Sequence, residues 1–207
     1  MSFLRLQGIN HLMVSVGENM QARDVIKLGK WYGEPMEWQV LHVEADKALL
    51  LSKYAFACRQ YHTSFTNVTW ESCYLRQWLN QDFFQLAFNE EEARFILNTK
   101  VPAEHNPDFD TNPGNDTYDK IFLLSVQEAQ KYFANDEARI CYPKDHLKFE
   151  GAWLGDNGAC AWWLRTPGDN SHYAAGVFHV GCIRYNGFDV NYANLTVRPA
   201  LWYKLGV

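Results

Sequence analysis

The sequence predicts an α+β fold, and three observations carry the prediction. Apolar strand-like runs lie within residues 38–52, helical spacing and two capping-box patterns follow in the middle of the chain, and from Ala161 onward only short strands and turns remain. With 207 residues, 47% hydrophobic and 15% aromatic including eight Trp, the chain carries enough apolar surface for a large core. No stretch reads as a linker, so one domain over residues 1–207 is expected.

The first forty residues read as irregular until WQVLHV (38–43), which with KALLLS (47–52) and the connecting residues 44–46 forms a β-hairpin. Residues 58–69 are a polar and aromatic loop. Its last residue, Thr69, is placed to cap a helix beginning WESCYLRQWLN, in which Trp70, Cys73 or Tyr74, and Trp78 recur at helical spacing. Asn89 with Glu92 three residues on is a capping box ahead of ARFILN, a second helix that turns Phe95, Ile96 and Leu97 toward the core. Residues 105–120 (HNPDFDTNPGNDTYDK) are dense in Pro, Gly, Asn and Asp and read as a long surface loop. Its Asp108, Asp110, Asn115, Asp116 and Asp119 offer oxygen ligands for calcium. Their spacing is not that of an EF-hand, and Asx residues end turns more often than they bind metal, so no metal is expected. IFLLS (121–125) reads as a strand running into a helix capped by Ser125 with Glu128. AWWLR, AAGVF, CIRY, FDV and VRPALW supply the strands of the last third, with Asn186-Gly187 as a type I′ hairpin signal.

A formal net charge of −5 without any basic run argues against nucleic-acid phosphates or an anionic membrane surface as partners. The N-terminal MSFLRLQGINHLMVSVGENM is interrupted by Arg5, Gln7, Asn10 and His11, so it lacks the apolar centre of a secretory leader. No segment has the length of a membrane span. Cys58, Cys73, Cys141, Cys160 and Cys182 are odd in number and scattered, which predicts reduced thiols. A cytoplasmic location follows by default, while a phage particle or non-classical export is compatible with the same sequence.

Residues 166–197 contain no Lys, Glu, Gln, Met or Trp, although these five types make up 43 of the 207 residues. At the rate of the rest of the chain about eight are expected. The five are what an AAC codon cannot become when its two adenines vary and its final C is kept, so the segment reads as a region of varied side chains. A turn-rich β segment that disfavours long helix formers accounts for the same composition.

The succession TWESCYLRQWLN (69–80), DKIFLLSVQEA (119–129), WWLRTPG (162–168) and VRPALW (197–202) resembles a bacterial and phage domain family of unassigned function. The resemblance covers roughly residues 30–205. It implies a C-type-lectin-like fold, related in architecture to the formylglycine-generating enzymes. In some members the C-terminal stretch is the variable region of a diversity-generating retroelement, where adenine-directed mutagenesis diversifies a ligand-binding face. Within the segment Val177, Ile183, Val190 and Val197 recur as β-branched anchors for a core. Between them stand the candidate ligand-binding residues Phe178, His179, Cys182, Arg184, Tyr185, Asn186, Phe188, Asp189, Asn191 and Tyr192. Phe188 and Tyr185 also fit a core role. Trp162, Trp163, Arg165, Arg198 and Trp202 are expected to be largely buried, the arginines paired.

A catalytic reading of the formylglycine-generating kind needs two neighbouring reactive cysteines to hold copper, and only Cys160 and Cys182 lie in the C-terminal part. Of the histidines at 11, 42, 62, 105, 146, 172 and 179, only His172 and His179 are close in sequence, and neither sits in a recognised motif. Nucleophile-elbow, phosphate-loop and zinc-protease motifs do not occur, nor do the EPN-like and WND-like tripeptides of calcium-dependent lectins. A carboxylate pair for glycoside hydrolysis converges only in space and stays open. The leading expectation is a non-enzymatic binding protein without cofactor or metal, its partner a protein. The alternatives are a formylglycine-related catalytic or metal-dependent domain and a structural phage or cell-surface module.

Overall fold

The computed structural model describes residues 20–206. The expectation about a leader, and His11, concern residues 1–19 and lie outside the described residues.

Strand β1 (Val25–Trp31) and strand β2 (Glu34–Val43) form a hairpin. Tyr32 and Gly33 connect them with φ of 50° and 81°, the two-residue turn whose twist suits paired strands. The opening forty residues are therefore not irregular throughout. The turn carries Tyr-Gly in place of Asn-Gly, and a bulge between Lys27 and Lys30 breaks the alternation that reveals a strand. Strand β3 (Lys47–Ser52) completes the expected hairpin with β2, and β4 (Ala57–Cys58) follows.

Trp70–Ser72 is a single 3-10 turn, after which α1 (Tyr74–Trp78) runs through a π turn (Leu79–Phe83) into α2 (Phe84–Ala87). Thr69 makes no capping bond. The cap of α1 is Cys73, whose Sγ accepts from the Arg76 amide at 3.3 Å, because the extended residue directly before the helix is this buried cysteine. Helix α3 (Glu90–Ala93) starts at the Asn89–Glu92 capping box, with both reciprocal bonds made. It is one turn long, and Phe95 is exposed, stacked on Tyr203, so of the expected apolar run Ile96 alone is fully buried.

Strands β5 (Thr99–Val101) and β6 (Thr117–Asp119) pair across the base of the long loop. Residues 121–125 form no regular strand; they are buried, and Phe122 bridges to Ala200. Helix α4 (Val126–Tyr132) begins at the Ser125–Glu128 capping box, and α5 (Asp136–Arg139) and α6 (Asp145–Phe149) follow. The last third is β7 (Trp162–Pro167), β8 (Tyr173–Val177), β9 (Ile183–Asp189), β10 (Thr196–Val197) and β11 (Ala200–Lys204).

These strands make an antiparallel sheet β1-β2-β3-β11 and a five-stranded sheet β4-β10-β7-β8-β9, parallel only at β10–β7. Trp162 and Trp163 are fully buried on β7, and their indole N–H groups donate to the carbonyls of Arg139 and Arg59. Arg165 is buried and donates to Glu128, to Glu104 at 3.1 Å and to the Leu123 carbonyl at 2.9 Å. Arg198 is held by the Ser52 carbonyl at 2.9 Å and lies between Phe133 and Trp162. Both guanidinium groups are thus paired as burial of charge demands. Trp202 packs against the core without being fully buried, with Lys47 Nζ 4.5 Å from its ring.

The 105–120 loop straps the β9 edge of the second sheet. Asn106 Nδ2 donates to the Pro167 and Tyr185 carbonyls, each at 2.8 Å, and Thr111 Oγ1 to the Gly168 carbonyl. Asp119 is buried and accepts from Arg76 Nε, Trp70 Nε1 and Thr117 Oγ1. Asp116 pairs with Lys100 and takes the Ala103 amide. Two of the carboxylates weighed as calcium ligands are therefore already engaged. Among the described residues no three His, Cys, Asp or Glu side chains cluster to hold a metal, and no helix is long and apolar enough to cross a membrane.

Candidate functional site

The segment 166–197 supplies β8, β9 and the turn between them. Phe178 opens that turn, its amide donating to the Cys182 carbonyl and its carbonyl accepting from Gly181, which leaves Val180 exposed at the tip. Cross-strand pairing places Trp163, Gly176 and Arg184 in register, so the Trp163 and Arg184 side chains share one face of the sheet on either side of Gly176.

On that face lies an aromatic group. Trp153, from the loop after α6, has ring centroids of Phe178 at 5.6 Å, His179 at 6.0 Å, Phe188 at 6.3 Å and Tyr192 at 6.3 Å. The Arg184 guanidinium sits 4.6 Å from the Phe188 ring and 5.4 Å from Phe178. Phe178, His179 and Arg184 are half-buried and Tyr192 is exposed. Asn186 and Asp189 are exposed, while Cys182 and Asn191 are half-buried, the Asn191 carbonyl accepting from Gln60 at 2.6 Å.

Two candidates are not free positions of this face, Phe188 because it forms the buried floor of the face and Tyr185 because it points away from it. Phe188 is 5% exposed and belongs to the core: it packs against Trp163 and lies over Gly176, where a Cβ would stand 2.8 Å from its ring. Tyr185 turns to α4, its hydroxyl accepting from Gln130 Nε2 at 2.9 Å. Tyr185 follows Arg184 along the strand and so points to the other side of the sheet. Ala174 pairs with Phe188 but Gly176 with Arg184, so β9 carries a bulge of two extra residues between its paired positions, an even number that keeps Arg184 and Phe188 on one face. Asn186-Gly187 is this bulge, not a hairpin turn; the positive φ it signals is real, 85° at Gly187, and Ala174 O comes within 2.8 Å of where a Cβ would be. Of the anchors, Val177, Val190 and Val197 are buried, and Ile183 is half-buried.

Trp153 was not legible as a site residue; its one signal is a large indole in a glycine-rich stretch, GAWLGDNG. His172 and His179 flank opposite ends of β8, roughly 20 Å apart, and form no pair. His172 packs on Phe65 at 4.5 Å, and His179 packs against Gly155.

The cysteines that meet are Cys141 and Cys160, across an antiparallel bridge, not Cys160 with Cys182. Both are buried, and Thr196 Oγ1 donates to Cys160 Sγ at 3.3 Å. The hydrogen bond to Cys141 and burial push the Cys160 thiol up. Burial also acts to raise Cys141, but the hydrogen bond from Cys160 and the charge of Arg198 outweigh it and bring it down to about 7. All five thiols are free.

The arrangement on the β9 face offers stacking surfaces, one guanidinium and several amide and carboxylate groups, the side-chain types suited to recognition. Searches of the curated proteins and of the solved structures returned no match. The model of one family, described as a domain of unknown function (DUF6273), matches residues 45–205, and the chain belongs to that family.

Proposed function

We propose that this chain is a non-enzymatic binding protein on a C-type-lectin-like scaffold, and that its recognition surface is the β9 face. That surface comprises Trp153, Phe178, His179, Arg184, Asn186, Asp189, Asn191 and Tyr192. The observation that carries the reading is the division of labour within 166–197: Val177, Phe188, Val190 and Val197 are buried, while Asn186, Asp189 and Tyr192 are exposed and Phe178, His179, Arg184 and Asn191 half-buried, along a sheet edge braced by the 105–120 loop. A stiff frame of this kind lets exposed side chains vary without unfolding the protein. Aromatic and Arg side chains favour a protein ligand, since these types dominate interface hot spots. The absence of five residue types from the segment is the composition expected of adenine-directed diversification. A catalytic role for Cys141 and Cys160 has less support, because buried thiols lack the exposure that reactive cysteines use.

The test is a displayed library randomised at His179, Arg184, Asn186, Asp189, Asn191 and Tyr192 and selected against a model protein such as lysozyme. Most members are expected to fold and some to bind; a library that is largely unfolded would falsify the reading. Sequencing the DNA around the gene checks the diversification claim separately, through a near-identical repeat differing at adenines beside a reverse transcriptase.

A further inference from the structure

A second concavity, of about 730 Å³, lies away from the β9 face, between the β1–β2 turn and the helical run α1–α2. Its walls include Lys30, Trp31, Tyr32, Arg59, Trp78 and Asp82. The volume is that of a small-molecule pocket, and an apolar lining with a few polar groups is the usual composition of such a site.

Three features of the wall point to one chemistry. Arg59 stacks on the Trp78 ring, 4.2 Å from its centroid, yet among the described residues no carboxylate pairs with it. Its Nε is buried without an acceptor, and its Nη1 reaches the Tyr74 hydroxyl only at 3.5 Å. Trp31 Nε1 is a second buried donor without an acceptor. Buried donors are normally satisfied, and two of them beside one cleft leave hydrogen-bonding capacity that no group among the described residues meets. Lys30 and Arg59 against Asp82 leave one positive charge, which a monoanion balances. The planar guanidinium fork fits a carboxylate. Trp31 and Trp78, buried and edge to face at 5.8 Å, form an apolar floor, and the exposed Tyr32 ring beside them offers a face for a flat body.

The backbone singles out the same place. The π turn at Leu79–Phe83 directly follows Trp78 and carries Asp82, and such turns recur at functional sites. Tyr32 holds a positive φ where Asn, Asp or Gly is the usual occupant, and its ring is 70% exposed.

From these observations we infer that the cleft binds a small monocarboxylate with a flat aromatic body. Its carboxylate pairs with Arg59 and its ring lies against Tyr32, over the edge of Trp31. This site is independent of the β9 face and uses no residue of 166–197.

Calorimetric titration of the full chain with indole-3-acetate tests it, with indole-3-acetamide as the uncharged counterpart and inorganic phosphate as the ring-free anion. Indole-3-acetate is expected to bind with a sub-millimolar Kd and to shift the indole N–H resonance of Trp31, assigned through Trp31→Phe. The amide should bind at least about ten-fold more weakly, as loss of one charge-assisted contact implies. Arg59→Gln should weaken the acid by a similar factor without changing the already weak amide. It keeps the backbone bonds from the Arg59 amide to Leu195 and from Trp163 to the Arg59 carbonyl, so folding is preserved and is checked by the melting temperature. Equal affinity for acid and amide, no effect of Arg59→Gln, displacement of the acid by phosphate at similar concentration, or no shift up to about 10 mM ligand each overturns the proposal.

Discussion

Truncating Phe188 separates the side chains of 166–197 that hold the fold from those free to vary. Its ring is 5% exposed and has Phe178 at 5.2 Å, Trp163 at 6.0 Å and Trp153 at 6.3 Å, with Arg184 stacked at 4.6 Å. Gly176 beneath it has no side chain with which to fill the space. Phe188→Ala therefore leaves an uncollapsed cavity, and such truncations cost roughly 3–5 kcal/mol. For a chain of this size each kcal/mol lowers Tm by about 2–4 °C, so a loss near the middle of that range moves Tm by roughly 8–16 °C. Asp189, the next residue, is exposed, and Asp189→Ala should stay within about 0.5 kcal/mol of the parent. Urea and thermal unfolding of the two variants decide the matter. If Phe188→Ala lost less than about 1 kcal/mol, or Asp189→Ala lost as much as Phe188→Ala, the division of the segment into core and free positions would be wrong.

Three further outcomes follow from the buried polar groups. Arg165→Ala strands Glu128 and Glu104 and leaves the Leu123 carbonyl without its donor, so it should cost about 3–5 kcal/mol by urea unfolding; a near-neutral effect would show that the network contributes nothing. All five cysteines should react with a thiol reagent after denaturation without reductant. In the native protein Cys182 should react first, since Cys73, Cys141 and Cys160 are buried and burial together with Glu150 pushes Cys58 up to about 11; a denatured count of three would mean a disulfide. Below its ordinary 4.5, the Glu37 carboxyl is held by the hydrogen bond from Lys53 at 2.7 Å. That pair contributes stability above the unfolded carboxylate range and loses it as pH falls through the depressed folded value. Lys53→Met should remove a small acid-side dependence, modest because the pair is near the surface, and an unchanged pH profile would count against it.

Local signals survived folding where a few neighbouring residues suffice to state them. The Asn89–Glu92 and Ser125–Glu128 capping boxes form as read, since each is a closed exchange of bonds over four residues. The β2–β3 hairpin forms because two apolar runs adjoin a short polar connection. The indoles of Trp162 and Trp163 and the arginines at 165 and 198 are buried and paired as their mixture of bulk and charge required.

Tertiary structure decided the rest. Asn186-Gly187 announces a positive φ, but whether that becomes a hairpin or a bulge depends on β8, which runs past it, and on Asn106, which holds the Tyr185 carbonyl from 79 residues away. Alternation sends Tyr185 toward α4, but that Phe188 is buried while Arg184 on the same face is only half-buried depends on Trp163, Gly176 and Trp153 packed around its ring. Trp153 reached the same face from another loop, Cys141 met Cys160 across a bridge, and Arg59 came to rest on Trp78 beside Trp31. Sequence alone determined the α+β class, the two capping boxes and the burial of Trp162 and Trp163. Which side chains face one another was set by long-range packing, because strand register and bulges are properties of paired strands and not of either strand alone.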